Sequence, residues 1–337
     1  MNTLGEIFKL TSFGESHGPA MGGVIDGVPA GVGIDVQALQ QFVNRRRPGQ
    51  GQPGATTRHE ADKVEILSGI WQGQTLGTPI GFIVRNSGQH SSDYDSLASC
   101  YRPSHADYSW DAKMGIRDPR GGGRASARAT VASVVAGGIA MQVLDTLGIT
   151  IVAHIAQVGN VTGSEQQMQQ AITQAQQQGD TLGGIIACTI GGVPAGLGEP
   201  VFGKLHARLA SAMMSINAVH GFEYGDGFAM AAQRGSEMLD LFERRPDGSI
   251  GTTTNHSGGI QGGISNGQDI TMRVAFKPVP TLMRDVPVVD REGNVTTLPP
   301  SGRHDCCVLP RAVPIVEAMA AMVILDNYLL QQTRHLK

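Results

Sequence analysis

The stretch GVPAGVG at residues 27–33 returns as GVPAGLG at 192–198, about half the length of a 337-residue chain away. Each copy follows a short apolar, strand-like run (MGGVID, GIIACTIG) and precedes a helical pattern (DVQALQQFVNR, PVFGKLHARLASAMMSI). A strand–turn–helix unit used twice predicts two structurally related halves packed as one body. On this reading residues 1–337 form a single domain, with the repeat at about 20–47 and 185–219. The other reading is a chance recurrence of good turn residues.

The remaining patterns fill in that body. SARATVASVVAGGIAMQVLDTL (126–147) is apolar nearly all round and rich in Ala and Gly, which predicts a buried helix with close neighbours. EQQMQQAITQAQQQG is polar, amphipathic and ends at a glycine, as a surface helix does. PIVEAMAAMVILDNYLLQQTR predicts a helix with Pro314 at its first position. KVEILSGIWQG and GTPIGFIVRN read as a hairpin pair. In QDITMRVAFKP, Ile270, Met272, Val274 and Phe276 alternate with other residues and give one buried face. The order lacks the regular strand–helix alternation of a doubly wound parallel sheet, so the expected class is α+β, with antiparallel sheets and central helices. Residues 278–310 are rich in proline and turn residues with little periodicity, the pattern of a functional lid or a mobile loop.

Composition excludes several functions. Apolar residues make up 40% and charged residues 16%, the balance of a folded chain. A net charge of −3 and a pI near 6.4 give no global basic field for nucleic acid or an anionic membrane. Aromatics, at 5%, are too scarce for a base-stacking surface. Cys100, Cys188, Cys306 and Cys307 form no CxxC pair, so neither a disulfide framework nor a metal site is indicated. The opening MNTLGEIFKLTSFGESHG has no signal-peptide pattern, and no stretch reads as long enough to span a bilayer, so the expected compartment is the cytoplasm.

Cationic residues are clustered instead. In RDPRGGGRASAR, Arg117, Arg120, Arg124 and Arg128 surround Gly121–Gly123, which run towards the apolar helix. Backbone N–H groups and the helix dipole would then face a ligand, with Arg124 and Arg128 one helical turn apart as an anion clamp. Buried arginines need an anion. Arg45, Arg46 and Arg47 are adjacent, so at most one or two can converge on a site. His17 in FGESHG and His105 in RPSHADY are candidates for proton transfer, and His304 lies between Arg303 and Asp305. GEPVFGKL matches GxxxxGK, but Leu205 stands where a nucleotide-binding loop needs Ser or Thr for Mg²⁺. From the residues alone, the expectation is an enzyme that binds a small polyanion through arginines and uses histidine acid–base chemistry.

At these same residues the chain resembles the chorismate synthase family. The matching stretches include FGESHG, GVPAG, RRRPGQ, RPSHADY, RGGGRASAR, MSINAVHGFEYGDGF, NHSGGIQGGISNGQDI, FKPVPT and GRHDCCVLPRAVPIVEAM, and they run from the N-terminus to the last helix. The resemblance implies conversion of 5-enolpyruvylshikimate 3-phosphate into chorismate and phosphate by 1,4-anti elimination, with reduced FMN. It also implies a β-α-β sandwich in two pseudo-related halves and a homotetramer. Residue by residue, His17 matches the acid for the departing phosphate. His105 matches the group that keeps the flavin suitably protonated, and Asp305 the carboxylate assisting proton removal. Arg46, Arg128 and Arg303 match substrate arginines, and Arg303 also the flavin site. Arg124, Ala125, Ser126, Asn217, Ala218, Gly262, Lys277, Pro278, Val279, Pro280 and Thr281 match flavin-contact positions. NADPH is the candidate reductant, but no reductase domain is visible, so an outside source of reduced flavin is expected. A non-catalytic relative binding flavin or phosphosugar is the alternative. Two departures stand out: no arginine follows RRRPG before Arg58, and Cys306 replaces a proline, an exchange expected to loosen the loop carrying Asp305.

Overall fold

The structure, a computed structural model, describes residues 1–47, 61–86, 100–246, 248–300 and 304–334. The first half begins with β1 (Thr3–Leu4), β2 (Lys9–Gly14) and β3 (Ala20–Asp26), then the first GVPAG turn and α1 (Val36–Asn44). The Asp35 side chain starts α1 by accepting from the N–H groups of Gln37 and Ala38 at 2.7 and 3.0 Å. Then come β4 (Val64–Ile66), a small hairpin of β5 (Ile70–Trp71) and β6 (Gln74–Thr75), β7 (Ile80–Arg85), α2 (Asp107–Met114) and α3 (Thr130–Asp145). The second half runs β8 (Thr150–Val158), α4 (Glu165–Gln177), β9 (Gly184–Gly191), the second turn, α5 (Leu205–Met214) and β10 (Val219–Tyr224). It continues with the hairpins β11 (Phe242–Arg244)–β12 (Ile250–Thr252) and β13 (Ile260–Gln261)–β14 (Ile264–Ser265), then β15 (Ile270–Phe276). A third hairpin, β16 (Val286–Val289)–β17 (Val295–Leu298), precedes α6 (Leu309–Gln332).

Both sheets are antiparallel and share one topology. The order β2-β3-β7-β4 in the first matches β8-β9-β15-β10 in the second, with β1 added at one edge. The two GVPAG turns are closed by identical chemistry. Thr75 Oγ1 donates to Pro29 O at 2.6 Å and accepts from Val32 N–H at 2.9 Å. Ser265 Oγ donates to Pro194 O at 2.6 Å and accepts from Leu197 N–H at 2.9 Å. Gly27 and Gly192 open the turns at the same φ of 77°, where a Cβ would strike Ile7 O or Gly148 O.

The long helices form the middle of the sandwich: α3 packs on β2 and β3, α6 on β8 and β9, and the two helices on each other. Gly137 sets their spacing, since a Cβ there would lie 2.3 Å from Ala318 Cα. Its neighbour Gly138 admits Leu39 and Phe42 of α1. One continuous hydrophobic cluster runs from Phe8 to Leu325, so neither half has a core of its own.

Several local expectations are corrected. α3 begins at Thr130, after two short 3₁₀ turns, Gly123–Ala125 and Ala127–Ala129, separated by an extended Ser126. α6 begins at Leu309, with a proline in its first turn and Pro314 inside it, because Pro310 already supplies the preset φ of a helix start. The irregular segment at 278–310 contains the β16–β17 hairpin. Strands β4 and β7 do pair, but with the β5–β6 hairpin between them. Length alone does not exclude a membrane span: Ala127–Asp145 and Leu309–Gln332 are long and apolar enough, and their apolarity is spent on the core between the sheets.

Candidate active site

A cleft of about 610 Å³ opens where the segments leading into α3 and α6 meet, and residues from Glu15 to Arg311 line it. The topology explains this meeting. In each half a long connection leaves the strand beside the GVPAG strand and enters the central helix, and the two central helices are neighbours.

His17 lies in the tight turn between β2 and β3, closed by Gly18 N–H donating to Glu15 O at 3.0 Å. Its ring is buried, with Nδ1 3.2 Å from Ser16 Oγ. Below the ring lies Gly121, where a Cβ would be 2.2 Å from His17 Cε1. Gly123 likewise leaves room for the Glu15 carboxyl, 2.5 Å from where its Cβ would be. Gly121, Gly122 and Gly123 all have positive φ, at 63, 84 and 52°. The glycine run therefore thins the backbone under His17 and Glu15, and it does not deliver N–H groups at the start of α3.

Arg124 and Arg128 sit on separate 3₁₀ turns and point to different partners, so they are not a one-turn clamp. Arg124 donates to uncharged oxygens, among them Ser12 Oγ at 2.7 Å and Asn2 Oδ1 at 3.1 Å. Arg128 is buried, with Nε donating to Asn86 Oδ1 at 3.0 Å and Nη1 to Asp62 Oδ1. Arg46 reaches the same carboxylate, its Nη1 3.0 Å from Asp62 Oδ2, and also donates to Thr130 Oγ1 and Ala127 O. Burial alone would raise the Asp62 carboxyl, but the two guanidiniums outweigh it and hold it below the usual carboxylate range. An anion for these buried arginines is thus built into the chain. Arg45 turns away to Glu317 and Arg47 to Asn44, so of this trio Arg46 alone lines the cleft.

His105 follows Ser104, which has a positive φ of 58°, and its Nδ1–H donates to Pro103 O at 3.0 Å. Burial, reinforced by the charge of Arg102, pushes the imidazole down to about 4, so it is neutral near pH 7. Asp107 fastens this segment through Arg102 and Arg117. Burial would raise its carboxyl, but the bonds and charge of Arg102 bring it to about 2. The β16–β17 hairpin is tied to the same segment by Arg291–Asp111 at 3.0 Å and by Tyr101 N–H donating to Val289 O at 3.3 Å.

On the α6 side, Asp305 pairs with Arg311, whose Nε donates to Arg46 O at 3.0 Å. The Cys306 thiol is buried and donates to Asp180 O at 3.2 Å, while its carbonyl accepts from Leu182 N–H at 3.0 Å. Cysteine at this position therefore anchors the loop and does not loosen it.

The proposed flavin contacts divide. Asn217 Nδ2 donates to Ala125 O at 2.9 Å, and Lys277 N–H donates to Ala218 O at 2.9 Å. These four residues line the cleft with Arg124, Ser126, Val279, Pro280 and Thr281. Gly262 does not line it, because it turns the β13–β14 hairpin that braces the second GVPAG turn, and Pro278 also stands outside the lining. Arg303 lies outside the described residues. Sequence reading missed Asp62, Asn86 and Asp107, which position cationic groups. Each is a polar residue beside an apolar or aromatic run (DKVEI, FIVRN, DYSW), a weak signal on its own.

Among the described residues seven cations line the cleft (Arg46, Arg102, Arg117, Arg124, Arg128, Lys277 and Arg311) against the four carboxylates Glu15, Asp107, Asp118 and Asp305, with Asp62 behind the wall as a fifth. Such a surplus in a walled site suits a ligand set with several negative charges. Among the described residues no group of three His, Cys, Asp or Glu is arranged to hold a metal ion.

The family model described as chorismate synthase matches residues 8–329. The chain is 56% identical to the chorismate synthase of Parabacteroides distasonis, with 99% of each chain covered. It is 48% identical to that of Porphyromonas gingivalis, over 98% of this chain and 96% of the other. A crystal structure of chorismate synthase superposes with a TM-score of 0.77 at 27% identity, covering 97% of this chain and 93% of that one.

Proposed function

This chain belongs to the chorismate synthase family of lyases, and from that premise we propose that the arginine-lined cleft is its catalytic site. The reaction is the conversion of 5-enolpyruvylshikimate 3-phosphate into chorismate and phosphate, for which the family uses reduced FMN. One observation carries the assignment: His17, His105 and Asp305, far apart in sequence, line a single cleft with Arg128 and the Arg124–Ser126 run.

The residues present fit a flavin. Arg124 offers a guanidinium that donates to neutral oxygens, and the Asn217–Ala218 and Lys277 strand ends meet beside it. When bound, reduced FMN would supply electron density to the substrate as phosphate leaves and accept the C6 proton. Arg128 and the neighbouring cations bind the carboxylates and phosphate of the substrate, while Arg46, whose Nε, Nη1 and Nη2 donate to Thr130, Asp62 and Ala127, holds the carboxylate that Arg128 shares. His17, held by Ser16 and Gly121, delivers a proton to the departing phosphate oxygen. His105 is neutral near pH 7, and an anionic ring brought beside it would favour its protonated form. Asp305, oriented by Arg311, assists removal of the C6 proton as a nearby carboxylate. The β16–β17 hairpin, tied to the segment around His105, steadies that segment from outside the cleft lining.

Other expectations belong to the same reading: flavin reduced by an outside source and not by NADPH on this chain, a cytoplasmic protein, and assembly as a homotetramer. The test is an anaerobic assay with chemically reduced FMN and 5-enolpyruvylshikimate 3-phosphate, following phosphate and chorismate together. Equal amounts of both are expected. A folded, flavin-binding protein that forms neither would overturn the assignment.

A further inference from the structure

Asn86 follows the last residue of β7, where the sheet fixes its backbone: Arg85 pairs with Ala20, and Asn86 N–H donates to Pro19 O at 3.1 Å. Its carboxamide makes three hydrogen bonds whose sense is fixed by the partners. Nδ2 donates to two carbonyls, Glu15 O at 3.1 Å and Gly18 O at 2.8 Å, the two ends of the turn that carries His17. Oδ1 accepts from Arg128 Nε at 3.0 Å, and a guanidinium can only donate. The other side of that guanidinium is gripped by Asp62 through Nη1. A planar guanidinium held at both Nε and Nη1 has its orientation determined.

We propose that Asn86 is the positioning residue that ties the His17 turn to Arg128, so that the acid and the substrate arginine are held as one unit. The proposal rests on the reading of the cleft given above. It accounts for a polar side chain at the end of the apolar strand FIVRN. The two groups serve opposite ends of one event, since Arg128 holds the substrate's charge and His17 meets the oxygen that leaves. A relative shift of about 1 Å between such groups can cost about a hundredfold in rate.

Asn86→Asp is nearly isosteric and separates the two ends of the tie. It keeps an acceptor for Arg128 but turns an oxygen towards the carbonyls of Glu15 and Gly18, so the His17 turn is released. In the anaerobic assay with chemically reduced FMN, Asn86→Asp is expected to lower kcat about a hundredfold and to leave KM within about threefold. In a His17→Ala background the same change should cost less than about threefold, because the acid it positions is already absent. The ¹⁵N shifts of the His17 imidazole should also move in Asn86→Asp, with a modest fall in the unfolding midpoint from the two carbonyls left without a donor and flavin affinity near wild type. Asn86→Ala, which cuts both ends and is more prone to unfold, should lower kcat and raise KM. Losses that multiply fully in the double variant, or a KM change with kcat intact, would overturn the tie. Wild-type turnover with an unchanged Asn86→Asp rate overturns the tie alone, whereas no wild-type turnover overturns the reading of the cleft on which it rests.

Discussion

The two halves agree wherever the chain builds framework and disagree wherever it builds the cleft. Thr75 and Ser265 close their GVPAG turns with the same pair of bonds, and each half's four-strand order is the same. The connections are not equivalent. Between β2 and β3 lies the short His17 turn on the cleft wall, whereas the matching connection between β8 and β9 contains α4 and contributes nothing to the lining. The segment entering α3 is fastened by buried charges around Asp62 and Asp107. The segment entering α6 is fastened by a buried thiol, backbone bonds and the part-buried Asp305–Arg311 ion pair. Duplicated geometry gives a sandwich with two helix entries side by side, and the unequal connections make one of its openings into a site.

The sharpest test of that asymmetry is His17→Ala. Loss of a positioned general acid is expected to lower kcat by about 10²–10⁴ with the fold intact, measured in the anaerobic assay. In the matching connection, Gln170→Ala on the exposed face of α4 should leave kcat unchanged. Equal effects at both places would break the comparison.

Next in size is Arg46→Ala. Arg46 and Arg128 share the fully buried Asp62, and removing one partner of a buried pair costs about 3–5 kcal/mol. Denaturant unfolding should show that loss. A variant as stable as wild type would mean that the entry to α3 is held by something other than these charges.

Within the framework the halves should respond alike. Thr75→Val and Ser265→Ala each leave a carbonyl and an N–H without this partner, part-buried at all but Leu197, at no more than about 1–3 kcal/mol apiece. The two unfolding shifts should agree within about 0.5 kcal/mol, with kcat unchanged. A large difference between them would show that the turns are alike in shape only.

This division also explains what the sequence reveals. The repeat is visible because both turns need the same Gly, Pro and small residues at the same offsets, and α3 is visible because it is apolar on every face. The alternation of Ile270, Met272, Val274 and Phe276 marks β15 because a strand with one buried face requires it. The start of α3 is hidden because RASAR suits a helix locally, and the 3₁₀ turns are imposed by Arg124 and Arg128 reaching opposite ways. Pro314 misleads because Pro310 competes for the same role. Asp62 and Asn86 are silent in sequence: their meaning lies in partners 16 to 71 residues distant. Proximity of His17, His105 and Asp305 follows from the pairing of α3 with α6, which no local pattern encodes.

The smallest effect expected is at Cys306, and it probes how the entry to α6 is held. The thiol behaves as a small buried group with a weak donor, aimed at Asp180 O with Ile172 O also within reach. A serine hydroxyl fits the same space and is a stronger donor, so its burial is offset by the bond it can make. Cys306→Ser is therefore expected to change stability by less than about 1 kcal/mol and kcat by less than about twofold. The backbone bond from Leu182 N–H to Cys306 O persists in either case, so the loop carrying Asp305 keeps its position. Cys306→Ala removes the donor, leaves Asp180 O short of one partner, and should cost more than serine does. The order serine above alanine identifies the thiol as a hydrogen-bonding anchor. The reverse order would identify it as packing alone, and the entry to α6 would then depend on its backbone and on Arg311.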